Sequence, residues 1–130
     1  MKNKGVALLL ALLTLIIISL LVVALLELTT IDLQIVSNHL SRNQALYIAD
    51  AGVEYAISNL RSSRNSFATP LIVFPPGSGN TYNMTYSNSS GIITSEARLS
   101  SGQRVTLAAK VSVVGNSPPY RLKIIYWSER

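Results

Sequence analysis

Cysteine is missing from all 130 residues. Its absence excludes disulfide staples, thiol nucleophiles and cysteine-held metal sites. Histidine occurs once, at His39, with no second ligand at metal spacing, so no metal centre is expected there. Between Val6 and Ala51 there is neither glycine nor proline, the residues that ordinarily interrupt a helix. Within that stretch, Val6 to Leu26 carries no charge, and Thr14 and Ser19 are its only polar side chains.

As a helix rising about 1.5 Å per residue, those 21 residues cover roughly 31 Å, the thickness of bilayer hydrocarbon. Nothing after Glu27 repeats the pattern, so a single membrane segment is expected. A cleaved secretory signal would carry an apolar region of about 7–15 residues ending at a small-x-small site. Here the run is longer and the helical pattern continues through its end. Lys2 and Lys4 precede the run while Glu27 and Asp32 follow it, so the N-terminus should stay cytoplasmic and the body face outward. An outer domain without disulfides is held by its core and its neighbours.

Past Glu27 the pattern turns amphipathic. Leu33, Val36 and Leu40 continue an apolar stripe, completed by Leu46, Ala49, Val53, Ala56, Ile57 and Leu60 at spacings of three and four. Arg61 to Ser66 ends it, with arginines suited to a helix C-terminus. The spacing predicts one helix from about Val6 to Leu60, its first half in the membrane and its Leu33–Leu60 half supporting a head. The remainder reads as strands over 71–74, 81–87, 92–99, 104–114 and 120–127. Ser100-Ser101-Gly102-Gln103 forms a hairpin turn between the third and fourth of these. In the last, Leu122, Ile124 and Tyr126 alternate with Arg121, Lys123 and Ile125, as in a half-buried strand. The expected class is α+β: one long N-terminal helix packed against a small antiparallel sheet, with no internal repeat. Beyond Leu60 the chain has eight bases (Arg61, Arg64, Arg98, Arg104, Lys110, Arg121, Lys123, Arg130) against Glu96 and Glu129.

Lys4-Gly5 before a long apolar helix resembles the processing site of type IV pilin-like proteins, which a prepilin peptidase cuts after the glycine. Glycine suits a scissile bond that must be extended and unobstructed. The segment Ala45-Leu-Tyr-Ile-Ala-Asp-Ala-Gly-Val-Glu-Tyr-Ala56 resembles the alanine-, acid- and glycine-bearing signature of PilX- and GspK-type minor pilins and pseudopilins. The matching positions are Ala45, Ala49, Asp50, Ala51, Gly52, Glu54 and Ala56, with Asp50 where glutamate is more usual. The chain lacks the large inserted domain of the secretion-system K pseudopilins, so the shorter PilX-like minor pilins are the nearer likeness. The resemblance implies a pilin-like fold, a leader over 1–5 and a mature chain beginning at an N-methylated Val6. It also divides the rest into a filament-core half over 6–26, an amphipathic half over 27–61 and a sheet head over 62–130.

Most pilins carry glutamate at the fifth mature position, to neutralise the amine of the neighbouring subunit. Here that position is Leu10. A carboxylate in hydrocarbon is retained only where it has a partner, and a tip subunit has no amine above it to neutralise. Leu10 therefore suits a tip subunit. No helix-breaking proline occurs around Ser19–Val23, another departure from major pilins.

Other residues have plainer alternatives. Glu27 and Asp32 read as solvated acids at the interface or as partners of a neighbouring subunit's base. Asp50 and Glu54 lie four apart on one helical face, where like charges more often solvate or bind arginines than perform acid–base catalysis. Gly52 reads as a close-packing position more than a hinge. A basic head raises DNA binding, with Tyr82, Tyr86, Tyr120, Tyr126 or Trp127 stacking on bases. The arginines are scattered, however, and charge alone usually serves solubility. The sequons at Asn83 and Asn88 match by chance in a Ser/Thr/Asn-rich chain.

The function expected is structural, not enzymatic, with no cofactor: a minor subunit at or near the tip of a type IV pilus or type II secretion pseudopilus, helping to initiate assembly. Its partners would be other pilins or pseudopilins, prepilin peptidase, the inner-membrane assembly platform and membrane lipid. Helix association in lipid relies on packing and on paired polar groups, for which Thr14 and Ser19 are the candidates. The alternatives are an uncleaved single-pass anchor with a periplasmic binding head, and a DNA-capturing minor pilin.

Overall fold

The computed structural model describes residues 3–115 and 117–129. Lys2 and Arg130 lie outside them, as does the side chain of Lys4. One helix, α1 (Asn3–Ser62), precedes six strands: β1 (Phe67–Ala68), β2 (Ile72–Val73), β3 (Thr81–Ser87), β4 (Ile92–Arg98), β5 (Arg104–Val114) and β6 (Arg121–Glu129). The architecture is α+β, as the sequence pattern predicts, and pilin-like, as the resemblance implies. The chain divides into two compact units, Met1–Asn38 and His39–Arg130.

In the first unit the described residues, from Asn3, are helix alone, and their large apolar side chains are exposed. In the second, the helix carries Ala45, Ala49, Val53, Ala56 and Leu60 with no exposed surface, flanked by Ile48 and Ile57. Steps of three and four set them on one face, which meets Met84, Ile93, Ala97, Leu107 and Ala109 of the sheet. Leu33, Val36 and Leu40, which periodicity adds to the same stripe, are instead 64–70% exposed. Periodicity marks an apolar face without saying what covers it, and burial in the head begins only at Ala45.

Gly52 fixes how near helix and sheet can come. A Cβ there would collide with Ser95 Oγ and stand 2.9 Å from Tyr82 Cδ2. Ser95 is completely buried, and its hydroxyl finds no hydrogen-bond partner. Burial, and secondarily the neighbouring Tyr55, push the Tyr82 phenol up from its ordinary value.

The sheet is antiparallel throughout, in the order β1-β3-β4-β5-β6, with β2 also on β3. Strands β3 to β6 form a meander of consecutive neighbours. The β4–β5 hairpin turns where the sequence places it: Gly102, at φ +94°, donates to the Leu99 carbonyl at 2.9 Å. One edge of the sheet consists of two-residue strands interrupted by prolines, whereas the other is the nine-residue β6. Short β1 has no counterpart in the sequence reading, because two residues carry no periodicity.

β6 also departs from simple alternation. Gly91, at φ +66°, sits 2.7 Å (as a Cβ would) from the Val111 carbonyl oxygen, so only glycine fits. The Val111 amide donates back to the Gly91 carbonyl at 2.8 Å. Opposite that point β6 bulges where the register shifts between Lys110 and Val111: Val111 pairs with Ile124, but Lys110 pairs with Tyr126. Ile125 is thus an extra residue and reverses the phase of the strand. Leu122 and Ile124 share the helix-side face with Val113 and Val111, and past the bulge Trp127 joins Ala109 there while Tyr126 turns outward. As the edge strand, β6 is far from half-buried, with Ile124 47% and Trp127 41% exposed.

Gly52→Ala should destabilise the head by about 1–3 kcal/mol, the cost of overpacking, read as a lower denaturation midpoint. Adding Ser95→Ala should restore part of it, and Ser95→Ala alone should be neutral or stabilising, since it removes an unpartnered buried hydroxyl. Because the folded state holds the Tyr82 proton more tightly than the unfolded chain, stability is intact below the unfolded pKa of about 10. It falls as pH rises above that value, and Tyr82→Phe should flatten the alkaline fall of the melting temperature.

Candidate assembly surfaces

From Val6 to Leu26 every large apolar side chain is between 49% and 67% exposed. A leucine or isoleucine left in water forgoes about 1.5–3 kcal/mol, so across the run the sum reaches roughly tens of kcal/mol. The helix is long and apolar enough to cross a membrane. Lipid or other apolar helices are the environments that suit such a surface. Leu10 lies on it among leucines, 54% exposed.

The hydroxyls in this segment are spoken for. Thr14 Oγ1 donates to the Ala11 carbonyl at 2.9 Å and Ser19 Oγ to that of Leu15 at 2.8 Å. Thr29 and Thr30 bond back to Leu26 in the same way. Bonded so, these side chains enter hydrocarbon without a neighbour to receive their protons. What they retain for a second helix is small size and an accepting oxygen. Gly5 is exposed and helical, with nothing within 4 Å of where a Cβ would stand. Its backbone is not extended, as protease access requires, but glycine weakens a helix by about 1 kcal/mol relative to alanine. Glu27, Asp32 and His39 are exposed, and none is in an ion pair among the described residues. No cluster of three potential metal-binding side chains occurs among them either.

The alanine- and glycine-bearing motif divides between two faces of one helix. Ala45, Ala49, Gly52 and Ala56 press on the sheet, while Ala51 is half-buried. Glu54 points directly away from the sheet and Asp50 lies beside it, half-buried. Neither carboxylate meets a base: the ion pairs among the described residues are Arg42–Glu129 at 2.8 Å, and Arg98 and Arg104 on Glu96 at 3.0 and 3.1 Å. The sequence offers no sign of these pairs, which depend on strand register. Of the aromatic residues considered for nucleic-acid stacking, Tyr82 and Tyr86 are buried in the core. Tyr120 is half-buried beneath Arg64, whose guanidinium lies 5.0 Å from the ring centre. Only Tyr126 and Trp127 remain accessible.

One long apolar helix entering an antiparallel sheet is the architecture of pilin-like proteins. Residues 4–54, less than half of the chain, match the family model described as PilX N-terminal, so this part is similar to the N-terminal region of PilX-type pilins. The match takes in the apolar run and most of the motif, and it ends before the sheet. No curated protein and no solved structure matches the chain significantly. The apolar helix fits a membrane-anchored protein.

A charge at the centre of the apolar run should weaken membrane insertion without abolishing it. Ile16→Lys adds about 2.5–3.5 kcal/mol to the cost of insertion, less than the run gains, so the variant should stay mainly in the carbonate-resistant pellet with a larger extractable fraction than the parent.

Proposed function

We propose that the chain is a minor pilin or pseudopilin, a structural subunit at or near the tip of a type IV pilus or type II secretion pseudopilus. The observation that carries this reading is the uncovered apolar surface from Val6 to Leu26 inside a PilX N-terminal match. The subunit sits in the bacterial inner membrane with its N-terminus cytoplasmic and its head outside. A prepilin peptidase cuts after Gly5, where the helix unwinds most readily, and the new Val6 amine is methylated. Residues 6–26 then pack among the helices of other pilins or pseudopilins on an inner-membrane assembly platform. Leu10 supports a terminal place, since a subunit with no neighbour above has no amine to neutralise. At that place it helps to start assembly.

An uncleaved anchor bearing a periplasmic head is the competing reading, with the same exposed helix and no filament. N-terminal mass spectrometry of the membrane-extracted protein separates the two. A methylated Val6 terminus is expected in cells with active prepilin peptidase, and an intact Met1 would end the pilin reading. Gly5→Val should leave the precursor uncut. Immunogold labelling of the head on sheared filaments should mark one end; labelling along the whole length would refute tip placement.

A further inference from the structure

Three unpaired bases of the head lie on one face and two unpaired acids on the other. Lys110 lies on the outer face of β5, turned away from the helix, and Ser112, two residues on, is opposite Lys123. Arg121 follows on the same face of β6. Each of these bases therefore stands one diagonal or next-nearest position from another, about 7–8 Å apart. None of the three is in an ion pair among the described residues. On the opposite side of the head, the helix ridge carries exposed Glu54 with half-buried Asp50 at its flank, neither in an ion pair among the described residues. Arg61 shares that ridge but lies seven residues past Glu54, roughly 10 Å along the axis and beyond ion-pair reach. The other acids of the head, Glu96 and Glu129, are taken by Arg98, Arg104 and Arg42.

We propose that the outer face of the β5–β6 hairpin docks a second copy of this chain, with Lys110, Arg121 and Lys123 meeting Asp50 and Glu54 of the neighbour's helix. The two patches are different surfaces, so the contact is heterologous and stacks heads in series. It deepens the filament reading, on which it rests. With no charge from Val6 to Leu26, apolar packing leaves the offset between neighbouring helices loosely specified. Complementary head charges fix register where greasy surfaces do not. Of copies so joined, only the outermost has no neighbour above it and keeps the terminal place that Leu10 suits.

The test uses the full chain in a non-ionic detergent, followed by sedimentation velocity across protein concentration. Self-association should weaken about tenfold or more as salt rises from 0.05 to about 0.5 M, because exposed charges are screened. Arg121→Glu with Lys123→Glu should abolish it, and so should Asp50→Lys with Glu54→Lys, with circular dichroism reporting that each variant is folded. Mixing the two folded variants should restore association in alternating copies, because the unaltered helix of the first meets the unaltered hairpin of the second and reversed hairpin meets reversed helix. Folded variants that associate like the parent, or a mixture that stays monomeric, would overturn the proposal. A parent that is monomeric at low salt would do the same. None of these outcomes bears on cleavage at Gly5, so the filament reading stands or falls separately.

Discussion

An apolar surface that its own chain leaves bare is the constraint on which the structure depends. A folded chain ordinarily hides such side chains, since each one left in water gives up stabilisation of the order of the whole net stability shared over many residues. Here the described residues of the first unit are only helix, and its leucines and isoleucines are exposed along its length. Between Val6 and Ala51 there is no glycine or proline with which to fold that helix back on itself. Its stability is therefore borrowed from its surroundings, first from lipid and, on the reading proposed, from other helices. The self-satisfied Thr14 and Ser19 hydroxyls fit either environment at no added cost.

The same helix obeys the opposite rule a few turns later. From Ala45 onward its small residues bring its backbone down onto the sheet, and at Gly52 even one methyl group would be too many. Alanine and glycine bury little area themselves, so their value lies in closeness. The larger side chains of the core, Leu60, Met84, Ile93 and Val53, fill the space around that line of contact. The acids of the same motif face away, so a stretch of twelve residues, Ala45 to Ala56, combines a packing surface with a charged one.

Much of this is legible in the sequence, for identifiable reasons. The extent of α1 follows from the absence of breakers, and its buried face from the spacing of Ala49, Val53, Ala56, Ile57 and Leu60. The β4–β5 hairpin is announced by Ser100 to Gln103. What is not legible depends on partners distant in the chain. The phase of β6 is set by the bulge at Ile125, which lies beside the Gly91–Val111 hydrogen bond. Leu33, Val36 and Leu40 have the right period, but period alone does not distinguish a face covered by sheet from one left open. The gathering of Lys110, Arg121 and Lys123 depends on strand register, which turns residues scattered along the chain into neighbours.

The two borders of the sheet are unlike. Along β3 lie scraps of two residues each, hemmed by Pro70, Pro75 and Pro76, and such a fringe offers an incoming strand almost no ladder to continue. Along β6 run nine consecutive residues with aromatic and branched side chains in view. Any lengthening of this sheet by foreign backbone is thus confined to a single flank, and the molecule has a built-in handedness toward whatever strand it meets.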